Sequence, residues 1–241
     1  VKRVLWLFLL SATLFGADNA TIPTVNLSLS APSSPEQLVT SLNVLVVLTL
    51  LTLAPSLLFM MTSFLRLLVV FGFLRQALGT QTTPPNTVVI SLALILTFFI
   101  MEPVATKAYE DGVKPYLAEE ISYQEAFARG VAPFKEFMVR KKDLALFFRI
   151  RDLNNPATID DIPITVALPA FMISELKTAF EIGFLLFLPF LIIDMVVASV
   201  LMSMGMMMLP PVMISLPFKL LIFILVDGWN LLVGNLVESF R

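Results

Sequence analysis

Two aspartates in strongly apolar surroundings, Asp194 and Asp227, are the side chains best suited by type to activate water. Two carboxylates can share a proton, one acting as base while the other donates. Inside a membrane that chemistry would be aspartyl peptide hydrolysis, the intramembrane aspartyl protease alternative. Neither residue lies in a G-x-G-D context, because Asp194 follows Ile192 and Ile193, and Asp227 precedes Gly228, Trp229 and Asn230. The chain has no His and no Cys. That excludes His-based triads, thiol nucleophiles, iron–sulfur clusters and any disulfide framework. There is no G-x-x-x-x-G-K-[ST] loop, so any ATP hydrolysis belongs to another protein. Neither an enzyme nor a cofactor or metal site is expected.

The two aspartates belong to a larger set. Arg66, Arg75, Lys177 and Lys219 stand against Glu175, Glu181, Asp194 and Asp227 within apolar stretches, four charges opposing four. Each would cost about 2.5–3.5 kcal/mol at the centre of a lipid-exposed helix. Ser174, Lys177, Thr178 and Glu181 fall at i, i+3, i+4 and i+7, a polar stripe on an apolar helix. These charges read either as buried ion pairs that cement helices or subunits, or as the lining of a conduit. Both hold if the pairs bridge subunits around a pore. A secondary transporter or proton-conducting channel would use the same charges with helices broken at Pro55, Pro169 and Pro189. The apolar blocks carry no inverted repeat of the kind such a transporter needs.

A third feature is the run containing Met202, Met204, Met206, Met207 and Met208, just before Pro210 and Pro211. Methionine is unbranched and polarizable and repacks against irregular surfaces. The run reads as adaptable core filler or as a deformable apolar seal, and spacing alone does not choose.

The elements that must position these residues follow from composition. Of 241 residues 58% are hydrophobic and 14% charged, and mean hydropathy is +0.90. Soluble domains run at about 45–50% apolar and about 25% charged, so an all-α integral membrane protein is expected. The net charge of −2 offers no basic stripe for nucleic acid. Residues 102–161 hold 20 of the 34 charges, so the chain is apolar, then polar, then apolar. Residues 1–17 read as a signal peptide, with Lys2 and Arg3 before a short apolar run. Residues 18–37 read as a linker outside the membrane.

A first helical block spans 38–101, with a kink expected at Pro55 and a helix end at Gly79. Its second segment, 87–101, covers only about 23 Å and is short against a hydrocarbon core of about 30 Å. A small helical insert follows at 102–163, and a second block at 164–241 is interrupted by Pro169, Pro189, Pro210, Pro211 and Pro217. Arg66 and Arg75 favour a cytoplasmic end between the first segments, which puts the insert in the periplasm. Short spans and balanced charges imply that much of the apolar surface meets protein rather than lipid.

Several stretches resemble one known family: MTSFLRLLVVFGFLRQALG at 61–79, PPNTVVISLALILTFFIM at 84–101, and the nearly continuous run from 168 to 240. Within the insert, Glu125, Ala126, Pro133, Phe137, Met138, Lys142, Asp143 and Leu144 also fit. The chain is similar to the P family of bacterial type III secretion export gates, in its flagellar branch. The resemblance implies a helical-hairpin membrane subunit present as a pentamer in a ring-like assembly. Its partners would be one R-type and about four Q-type export-gate membrane proteins, with other flagellar export-apparatus proteins. Unfolded flagellar subunits would pass through the centre, in the cell membrane at the flagellar basal body. The resemblance maps the seal onto the five methionines, and family charges onto Glu175, Lys177, Asp194, Lys219 and Asp227. Glu181 stands where the family pattern leads one to expect Gln, so the resemblance assigns that charge no role.

Overall fold

In a computed structural model, residues 35–80, 82–139, 144–150, 158–206 and 208–240 are described. The expected signal peptide and most of the linker lie outside these residues, as does Met207. Among the described residues there is no β-strand, so the all-α expectation holds. The chain divides into a unit ending at Thr49 and a larger unit beginning at Leu50. Helix α1 (Pro35–Met60) straddles that division. In the first unit most of the described apolar side chains, among them Leu42, Leu45 and Val47, are exposed.

Helix α1 contains Pro55, and the chain breaks beyond it at residues 61–63. Local hydroxyl bonding explains the position of the break. Thr62 Oγ1 donates to Phe59 O at 2.9 Å and accepts from Phe64 N at 3.4 Å. Such bonds offer the backbone an alternative to the helical ladder.

Helix α2 (Phe64–Ala77) buries Arg66, Leu67, Val70, Phe71, Leu74 and Ala77, spaced three and four residues apart as one helical face requires. It ends at Gly79, as expected, in the left-handed region at φ 77°. Helix α3 (Asn86–Ala108) then runs past Glu102 and Pro103. It continues through a π-turn (Tyr109–Val113) into α4 (Lys114–Leu117). The whole is a 32-residue span, Asn86–Leu117. The expected short second segment is therefore corrected, because charge density rises at Glu102 without ending the helix. Gly112 in the π-turn lets α5 (Tyr123–Val139) approach closely: a Cβ there would stand 2.8 Å from Ala126 O and from Gly130 N. Pro133 lies inside α5. Helix α6 (Leu144–Ile150) and a 3-10 turn (Ile159–Asp161) complete the middle of the chain.

Helix α7 (Ile164–Ser203) has 40 residues and is unbroken at Pro169 and Pro189. Those two prolines, and Pro217 further along, do not interrupt their helices as expected. Proline is tolerated in apolar helices whose neighbours and local adjustments satisfy the freed carbonyls. At 1.5 Å per residue α7 is about 60 Å long, roughly twice the hydrocarbon core. It packs against α2 around Leu67, Val70, Phe71 and Ala179. Gly183 makes the close approach possible, since a Cβ there would stand 2.4 Å from Phe73 Cδ2.

After α7 the chain turns at Gly205, φ 76°, and restarts at Pro211. Helix α8 (Pro211–Leu225) packs on α7. Helix α9 (Gly228–Glu238) follows at a 64° bend. Among the described residues two helices are long and apolar enough to cross a membrane, or three if the bent α8–α9 pair is one broken span.

Candidate functional site

Two ion pairs hold the larger unit together from inside. Arg66 on α2 meets Glu175 on α7, 109 positions away. Nε donates to Glu175 Oε2 at 2.7 Å, and Nη2 donates to Oε1, a bidentate pair. Nη1 donates to Ser239 Oγ at 2.8 Å and to Ser239 O at 3.3 Å, and the guanidinium carbon lies 3.8 Å from the Phe240 ring centroid. Both charged side chains are buried, at 1% and 0% exposure. One cation thus fastens α2, α7 and the segment after α9. The planar fork of Arg suits this work, because it satisfies a carboxylate and stacks on an aromatic face at once.

The second pair joins α7 to α8. Lys219 Nζ donates to Asp194 Oδ2 at 2.6 Å, and Ser215 Oγ donates to Asp194 Oδ1. Ser215 and Lys219 are one helical turn apart, so they close on the carboxylate from one face of α8. Lys219 is 2% exposed and Asp194 22%. The ammonium reaches the turn after α2, where a Cβ on Gly79 would stand 3.8 Å from Nζ.

The other four charges are placed differently. Half-buried Arg75 donates from Nη1 to Asn86 Oδ1, a neutral partner. Asp227 is exposed, sits in the left-handed region at φ 51°, and accepts from Asn230 Nδ2 at 3.2 Å. Lys177 and Glu181 are exposed on α7. The sequence-derived stripe therefore faces outward from this chain, while Glu175 between its members faces inward. Asp194 is engaged by Lys219 and Ser215, and Asp227 by Asn230, with no bond joining the two carboxylates.

The methionines form an exposed apolar tip. Met202, at the end of α7, and Met204, Met206 and Met208 in the turn beyond it are 56%, 66%, 40% and 97% exposed. They are not core filler within this chain.

Sequence reasoning did not find Ser215, Ser239, Phe240 or Asn86 as partners. Ser215 carried a usable signal, its one-turn spacing from Lys219. Ser239 and Phe240 carried none, because their role depends on where the chain end is placed.

The fold and these pairs define an all-α membrane protein, its helices tied by buried ion pairs and its longest helix ending in an exposed methionine turn. Residues 47–236 match the FliP family. The chain belongs to that family. It is 52% identical over 217 residues to the flagellar biosynthetic protein FliP of Bacillus subtilis (strain 168), covering 89% of this chain and 98% of that one. It is 58% identical over 197 residues to FliP of Caulobacter vibrioides, covering 80% of this chain and 74% of that one. The alignment to FliP of Aquifex aeolicus (strain VF5) is 47% identical over 246 residues and covers both chains fully.

Proposed function

We propose that this chain is a core membrane subunit of the flagellar type III export gate. It builds, with Q- and R-type subunits, a channel through which unfolded flagellar proteins leave the cell. Several copies, five by family resemblance, form the ring in the inner membrane, with the segment after Glu102 facing the periplasm. The methionine turns of the copies converge to close the path when no substrate is in transit.

The observation that carries this reading is α7 itself. It is about 60 Å long and largely apolar outside its four charged positions, and a bilayer core covers only about half of it. Large side chains such as Phe180, Leu185, Ile192, Val196 and Val200 are exposed over that length. Apolar surface on this scale calls for partner protein. Membership of a family whose curated relatives are named as flagellar biosynthetic proteins supports the choice of partner and cargo.

Native mass spectrometry in mild detergent, on the chain co-expressed with Q- and R-type partners, tests the assembly. Five copies with one R-type chain, with or without Q-type chains, is the expected mass. A monomer or dimer that ignores those partners would overturn the proposal.

A further inference from the structure

The charges in the apolar helices sort by how they are satisfied. Arg66 with Glu175 and Lys219 with Asp194 close inside the chain. Arg75 and Asp227 each hold a neutral amide, from Asn86 and Asn230. Of the eight charges named in the apolar stretches, Lys177 and Glu181 are the two with no polar side-chain partner among the described residues. Both are exposed, at the fourteenth and eighteenth positions of the 40-residue α7, flanked by exposed Ile173, Phe180 and Phe184.

Charges on an apolar helix face are costly in lipid and survive by meeting protein or water. Lys before Glu is the less favourable order for pairing along one helix. Both facts direct the two groups outward to a neighbour. This face of α7 therefore offers one cation and one anion, and the same face of an identical chain supplies a partner of opposite sign for each.

We propose that Lys177 of one copy pairs with Glu181 of the next, which makes this face of α7 the copy-to-copy contact. The assignment rests on the proposed multi-copy assembly and adds its register. The two Cα atoms differ in height by about 6 Å along the helix. A long flexible lysine covers that rise, so copies related by rotation alone, with no slide along the axis, can make the contact. The arrangement is head-to-tail, the kind of contact that joins successive copies around an axis. Half-buried Ser174 and Thr178 complete the polar face.

The chain has no cysteine, so linking experiments start from a clean background. Lys177→Cys and Glu181→Cys chains carrying different tags are co-expressed with the gate partners and treated with a short bis-maleimide. A disulfide is the wrong probe, because its Cα atoms must lie within about 7 Å. The expected product is a linked species bearing both tags. Assemblies of full mass that yield no such species overturn the contact and leave the proposed function standing. Unsubstituted chains that fail to assemble overturn both. If the cysteine chains do not assemble, charge exchange decides. Lys177→Glu should abolish the assembled species and Lys177→Glu with Glu181→Lys should restore it, and assembly indifferent to both exchanges, or lost in both, overturns the contact.

Discussion

Replacing Glu175 by Gln keeps the size and shape of a fully buried side chain and removes only its charge. Arg66 would keep Ser239 and the Phe240 ring but lose the carboxylate that takes two of its N–H groups. Breaking a buried pair from one side costs about 3–5 kcal/mol, because the surviving charge stays desolvated and unpaired. Native domains hold only about 5–15 kcal/mol in total. By the scaling for domains of 150–250 residues, the loss corresponds to a fall of about 6–20 °C in unfolding midpoint. The assay is thermal unfolding in detergent, followed by fluorescence-detected size exclusion, on chains of equal expression. The companion is the double variant Arg66→Met with Glu175→Met, which removes both charges. Apolar replacement of a buried pair is often neutral or stabilising, so the double variant should regain most of the lost midpoint. A single variant indistinguishable from the parent, or a double variant worse than the single, would refute the argument that an orphaned charge causes the loss.

Other consequences are open to the same kind of measurement. Lys219→Met should strand Asp194 and lower the midpoint by a similar amount, while Ser215→Ala should cost about 1–3 kcal/mol through one lost hydrogen bond; equal effects from the two would contradict the assignment of roles. Gly183→Leu should force Phe73 out of its place against α7 and cost about 1–3 kcal/mol or more, and an unchanged midpoint would show that the two helices are not in register as described. Replacing Met202, Met204, Met206, Met207 and Met208 together with Ala should leave assembly mass unchanged and raise small-ion conductance of the reconstituted gate; a gate still tight would sink the seal.

Sequence legibility followed the range of the interactions. The buried stripe of α2 was readable because it repeats every three or four residues, and the end at Gly79 because glycine adopts φ 77° without strain. The break at residues 61–63, before α2, was not readable. It came from the Thr62 hydroxyl, which competes locally with the helix. The first block was read as ending at 101 because charge density rises at Glu102, whereas α3 runs on to Ala108 and the π-turn after it sets Gly112 against α5. The eight charges could be named but not paired. Arg66 finds Glu175 across 109 positions and Ser239 across 173, and no periodicity reports contacts of that range. The inward turn of Glu175 and the outward turn of Lys177 and Glu181 likewise depend on which side of α7 meets α2.

The most direct test of a conducting path is site-specific photo-crosslinking at Met208, which is 97% exposed. A photoactivatable residue is placed there, and separately at exposed Phe127 on α5, in cells exporting a flagellar subunit fused to a domain that stalls in transit. Adducts between stalled substrate and position 208, absent or much weaker at position 127, are the expected result. Assembled gates that stall substrate yet give no adduct at position 208 would contradict a path closed by the methionine turn.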